Sequence, residues 1–254
     1  MNLPQAKTAP VSAFLFRMLV WMGACGGLPF AVFAAETNSP CARAEADFLA
    51  ARSALVLTPN SVSNAWKLGL TAFFWADCAT NDHQRASVAG EAIRACREAV
   101  ARDPKSAPAH YYLAQNLGQL ARTKSLGALK LVREMEKVWL KAKVLYERFD
   151  FAGPDRSLGL LYLEAPGWPT SIGSNTKARV HLEQAVQLAP NYPDNRLTLA
   201  EALLRWRKHE EFASQLKALE EHWLRAKAKH SGPEWEAAWL DWETRLAALK
   251  HKSK

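Results

Sequence analysis

Asp103-Pro104-Lys105-Ser106-Ala107-Pro108-Ala109-His110-Tyr111-Tyr112-Leu113-Ala114 decides how this chain folds, because the chain repeats its pattern. The echo is Ala189-Pro190-Asn191-Tyr192-Pro193-Asp194-Asn195-Arg196-Leu197-Thr198-Leu199-Ala200. Nine residues after Pro104 and after Pro190 comes a leucine followed by alanine. Ahead of each proline stands the same ladder: Ala92, Cys96 and Ala99 in one copy, Ala178, Leu182 and Ala185 in the other. Positions three and four apart share one helix face, and proline stops a helix. Each copy therefore reads as a helix with a small-residue face, a proline stop, and a new helix opening on Leu-small.

Such a unit resembles the tetratricopeptide repeat (TPR), a stacked helix-turn-helix whose period is about 34 residues. First-helix signatures recur at Leu68-Gly69, Leu113-Ala114, Leu158-Gly159 and Leu199-Ala200, separated by 45, 45 and 41 residues. The units are longer than the usual repeat. The expected architecture is all-α, a TPR-like α-solenoid of about four helix-turn-helix units, near residues 61–104, 107–148, 153–190 and 193–229. An N-terminal helix over Pro40–Leu57 precedes them. A capping helix over 233–250 closes the array, with Trp235, Trp239, Trp242, Leu246 and Leu249 on one stripe.

Residues 1–34 read as a secretory signal: Lys7 and Arg17, then an apolar run from Met18, then Val32-Phe33-Ala34 as a cleavage site before Ala35. Gly23, Gly26, Gly27 and Pro29 interrupt that run, which argues against a durable spanning anchor. Met22-Gly23-Ala24-Cys25 matches the lipoprotein pattern only in its last three residues. The preferred expectation is a mature periplasmic chain from Ala35.

The net charge is +8, and Lys7 and Arg17 account for two of it, leaving 31 basic against 25 acidic residues. The excess is spread along the chain. The tail Lys250, Lys252, Lys254 reads as a solvated end, and no nucleic-acid motif accompanies it. Ser125–Arg148 reads as one long amphipathic helix whose polar face is solvated. Ala79–Arg85 reads as a polar loop, and its Asp82 and His83 stand without other groups at ligand spacing. Of the cysteines left after cleavage, Cys41 and Cys78 fall at the same end of a helical hairpin and are expected to form a disulfide in an oxidising compartment. Cys96 lies on a small-residue face and reads as a buried thiol.

The most distinctive passage is Leu158-Gly159 through Gly173, where a helix runs into Pro166-Gly167-Trp168-Pro169. Trp168 is expected to fold back over an apolar surface. With Tyr162, Lys177, Ala178, Leu182, Glu183, Ala185 and Val186, this passage resembles the TatT family of periplasmic TPR proteins associated with TRAP (tripartite ATP-independent periplasmic) transporters. The resemblance covers about residues 60–205. It implies a helical array with an apolar cavity or pore, a homo-oligomer, docking of a solute-binding protein, and often lipidation, for which Cys25 is a poor match.

In stacked arrays the first helices line a groove. Positions two before and two after each Leu-small pair face inward: Trp66 and Leu70, Tyr111 and Gln115, Arg156 and Leu160, Leu197 and Glu201. One turn on lie Phe73, Leu163 and Leu204. With Trp168, these make an apolar, aromatic lining suited to an apolar small molecule or protein segment; the other reading is that they pack against a terminal helix. No cofactor and no metal are expected, since His110, His181, His209, His222 and His230 lack ligand spacing. No catalytic residues are expected either, because no nucleophile motif or phosphate-cradling loop occurs. A non-enzymatic periplasmic adaptor is the first functional reading, and a scaffold for envelope assembly is the second.

Overall fold

The computed structural model describes residues 39–124 and 127–253. The expected signal, its cleavage site and Cys25 lie outside the described residues. So do Ser125 and Leu126. The described chain forms two compact units, divided between Met135 and Glu136. Among the described residues the longer elements are all α-helices: α1 Pro40–Leu57, α2 Val62–Asp77, α3 Asp82–Arg102, α4 Ala107–Ala121, α5 Ala128–Leu145, α6 Gly153–Glu164, α7 Asn175–Leu188, α8 Pro193–Arg205, α9 His209–Lys229 and α10 Glu236–Lys252. The division falls inside α5.

Helix starts follow capping chemistry. Ser39, Ser61, Asn81, Ser106 and Ser174 each accept a hydrogen bond from a backbone N–H of the first turn. The start of α3 differs from the sequence reading. Asp82–Arg85 is not loop but the first turn of α3, because the Asn81 side chain takes the Gln84 N–H at 2.8 Å and the Gln84 side chain takes the Thr80 N–H at 3.0 Å. The polar residues that suggested a loop are the cap itself.

In the first unit, α1 and α2 form a hairpin whose open end is closed by the Cys41–Cys78 disulfide, with Cα atoms 5.6 Å apart. Phe48, Leu68, Ala72, Ala92 and Ala99 build its core. The Leu-Gly signature has a steric reason. A Cβ on Gly69 would lie 2.5 Å from Cys96 Sγ, so α2 and α3 meet there at backbone distance. Burial pushes the Cys96 thiol up to about 12, which leaves it unreactive. α4 then docks on α2 through amides: Asn116 donates to the Gly69 carbonyl at 2.7 Å, and Gln119 donates to the Phe73 carbonyl at 3.3 Å.

The second unit repeats the steric device. A Cβ on Gly159 of α6 would lie 2.5 Å from Leu182 Cδ2 of α7. Between these helices the Pro166–Gly173 loop is tied to itself, with the Gly173 N–H on the Pro166 carbonyl at 2.9 Å and the Ser174 N–H on the Tyr162 carbonyl at 2.8 Å.

The C-terminal end of this unit is an aromatic cluster. Phe151 stacks on Tyr192 at 4.4 Å, Trp242 meets Tyr192 edge-on at 5.5 Å, and Trp239 meets Trp242 edge-on at 4.8 Å. His230 sits among Phe151, Tyr192, Trp235 and Trp242. The Trp stripe is thus internal packing: Trp235 belongs to a 3-10 turn over Pro233–Trp235, and Trp239 and Trp242 are buried on α10.

Burial, and then the charge of Lys229, lower the His230 pKa to about 4. Unfolded histidine titrates near 6.5. Between these values only the unfolded state binds the proton, so this contribution is complete above about pH 6.5 and is lost as pH falls toward 4. The loss is at most about 3 kcal/mol. Urea midpoints at neutral and mildly acid pH should therefore differ more for the native chain than for His230→Gln.

Candidate functional site

The inward-facing positions divide by burial once the helices are packed. In the first unit, Phe73 on α2 and Tyr111 and Gln115 on α4 are buried, at 1%, 0% and 0% exposure. Trp66 and Leu70 remain half-buried. Trp66 stacks on Tyr112 at 6.0 Å, and Tyr112 meets Tyr111 edge-on at 5.1 Å. The structure therefore joins Trp66 to the α4 aromatics, leaving Trp66 and Leu70 as the accessible members. Below them Asp77 accepts from Gln119 at 2.8 Å and from Arg122 at 2.7 Å.

In the second unit, Arg156 of α6 is 1% exposed and Leu197 of α8 is 0% exposed. Leu163 is buried, and Leu160 and Leu204 are half-buried. Arg156 is the centre of a buried polar network. Its Nη1 donates to Asn195 Oδ1 at 2.9 Å and its Nη2 to Asp150 Oδ2 at 2.9 Å. Its Nε pairs with Asp194 Oδ2 at 3.1 Å, and the guanidinium lies 5.2 Å from the Tyr192 ring centre.

The same arginine donates to the carbonyls of Asp150 and Phe151. Those residues and Ala152 have φ of 49°, 54° and 64°. Three successive non-glycine residues in the left-handed region are costly. The network that captures their carbonyls holds them there, and Asn195 Nδ2 adds a bond to the Phe151 carbonyl at 2.9 Å.

Asp194 passes the network on. Its second oxygen accepts from Arg245 Nη1 of α10 at 2.6 Å. Arg245 also donates to Thr198, Asp241 and both carboxylate oxygens of Glu201. Burial opposes the Arg245 charge, yet Glu201, Asp194 and Asp241 outweigh it and hold its pKa well above the ordinary value. Arg156 and Glu201 are thus brought into one network, and both are engaged by protein groups. α10 packs on α8 through this network.

Arg245 and Asp194 were missed by reasoning from sequence. A signal existed: Arg245 follows Trp242 by three residues and precedes Leu249 by four, so it falls on the apolar stripe. A cation at a buried helix position needs an anionic partner.

A second polar cluster spans α5, α6 and α7. Buried Asp155 Oδ1 accepts from Lys143 Nζ at 2.7 Å, and His181 Nδ1 lies 2.7 Å from it. His181 stacks on Tyr162, whose hydroxyl donates to Glu136 at 2.6 Å. Burial, then the bond to Glu136 and its charge, raise the Tyr162 pKa. Among the described residues no group of three or more His, Cys, Asp or Glu could hold a metal ion.

Trp168 does not fold back over an apolar surface: it is 89% exposed. The turn that carries it is closed by bonds among backbone groups, so the indole is not needed to hold the loop. A Cβ on Gly173 would run into the Ala165 carbonyl, and that close backbone contact shapes the loop instead.

No family model and no curated protein sequence matches this chain. Solved structures do match it. TTC0263, a thermophilic TPR protein of Thermus thermophilus, superposes with a TM-score of 0.59 at 21% identity, over 82% of this chain and 90% of that one. PilF of Pseudomonas aeruginosa gives 0.51 at 16% identity, over 83% and 82%. A MamA structure gives 0.50 at 21% identity, over 74% and 94%. At these identities the likeness is one of fold: this chain has the all-α fold of TPR proteins.

Replacing Arg156 with Met removes the cation paired with Asp150 and leaves Asp194 to Arg245 alone, and should cost about 3–5 kcal/mol in urea unfolding. Arg156→Lys should not restore it, because one ammonium cannot replace the planar fork. Trp168→Ala should leave stability within about 0.5 kcal/mol of the native chain.

Proposed function

We propose that this protein acts by binding, as a TPR scaffold that holds a protein partner on the accessible faces of its first helices. The observation that carries this is the division within those helices. The inward polar residues Arg156 and Glu201 are engaged in internal networks, while Trp66 and Leu70 in one unit, and Leu160 and Leu204 in the other, stay partly exposed. Such positions suit an apolar protein segment more than a charged peptide terminus, which needs several free cations. The apolar small molecule expected from the sequence is a second occupant of the same chemistry. The TatT resemblance makes a periplasmic solute-binding protein the first partner to try, and a TRAP transporter the system to try it in.

The test is site-specific photocrosslinking in cells, with the photoreactive residue at Leu70 or Leu160 and, as control, at Leu224 on α9, which is 81% exposed. Protein adducts from Leu70 and Leu160 but not from Leu224 are expected. Adducts equal at all three positions would overturn the reading. A small molecule released on denaturing the purified protein, with no protein adduct, would replace the partner by a ligand.

A further inference from the structure

α5 is amphipathic in an unusual sense. Its inner face buries Met135, Trp139 and Ala142. Its outer face carries four exposed cations, Lys130, Arg133, Lys137 and Lys141. None of the four has an ion pair or hydrogen bond from its side chain among the described residues. Between them stand three exposed apolar side chains: Leu129 and Leu140, each 38% exposed, and Val144, 80% exposed. At 3.6 residues per turn, all seven fall within an arc of about 120° and extend for about 22 Å along the axis. Their register follows from this one helix alone.

The acids of α5 are directed elsewhere. Glu134 pairs with Arg97 of α3 at 2.7 Å. Glu136 accepts the Tyr162 hydroxyl and lies 3.7 Å from Lys177. The stripe is therefore purely cationic and apolar.

We infer that this outer face of α5 docks on an anionic lipid bilayer. The chemistry matches point by point. Leu129, Leu140 and Val144 can enter the boundary between headgroups and acyl chains. The cations lay their methylene stems along that boundary and keep their charged ends among the phosphates. Nucleic acid offers phosphate without an apolar counterpart, and the stripe has no aromatic ring for base stacking. Contact is adsorption: among the described residues no helix is long and apolar enough to cross a membrane.

The test is partitioning of the full chain onto vesicles of phosphatidylglycerol mixed with phosphatidylcholine, and onto phosphatidylcholine alone. The readout is the ratio of the two partition coefficients, which divides out apolar binding shared by all variants. The native ratio should be high at low salt and fall as salt rises. The triple change K130E/K137E/K141E should lower the ratio at least about tenfold. The control K217E/K229E/K252E makes the same change in net charge at exposed lysines elsewhere and should lower it far less. Val144→Asp alone should weaken binding to the anionic vesicles. Should circular dichroism show the triple variant unfolded, K130Q/K137Q/K141Q takes its place. Equal falls in the stripe and control variants would overturn the inference, as would a native ratio near one. Competition by soluble polyglutamate without vesicle binding would overturn it in favour of an acidic protein.

Discussion

Arg156 has no route to solvent, and the second unit is arranged around satisfying its charge. The guanidinium is planar and offers five donors in fixed directions. Its partners lie in three places: the left-handed turn before α6, the first turn of α8 and, through Asp194, α10. A buried cation without anions would be prohibitively costly, and a buried Asp194 without cations equally so. Each side chain is tolerable only with the others in place. The left-handed turn at Asp150–Ala152 persists for the same reason, since its carbonyls are acceptors that this arginine needs.

A steric constraint acts beside this electrostatic one. Helices approach to backbone distance only where a side chain is missing. Gly69 against Cys96, and Gly159 against Leu182, supply that gap in their respective units. The fully buried alanines of the ladder, Ala92 and Ala99 on α3 and Ala178 and Ala185 on α7, keep the rest of each contact close. Burial at these contacts also removes Cys96 from thiol chemistry, leaving Cys41 and Cys78 as the pair that closes the α1–α2 hairpin.

Charge is therefore used in two opposite ways. In the interior, Arg156 and Arg245 are fully paired and hold helices to one another. On the outer face of α5, exposed cations with no ion pair among the described residues stand beside apolar side chains. The first arrangement contributes to a specified fold, and the second leaves binding free energy available to an anionic surface.

The helical fold was legible in the chain because it depends on local periodicity. The proline stops at Pro104 and Pro190, the Leu-small pairs and the ladder of small residues each follow from neighbours within one or two turns. The Cys41–Cys78 pairing was legible for a similar reason, since hairpin geometry places both at one end. Spacing along a helix tells which residues face inward, but not what meets them there. Arg156 and Glu201 share their inward position with ligand-binding residues of open grooves, and only tertiary packing shows that Asp194 of α8 engages Arg156 and Arg245 of α10 engages Glu201. Trp168 shows the converse: its apolar ring suggested burial, yet backbone bonds close its loop without it. Local sequence determined the helices and their order, because those interactions span a few residues. Tertiary structure alone decided which inward side chains remain free, because partners such as Arg156 and Asp194, or Asp194 and Arg245, are separated by dozens of residues.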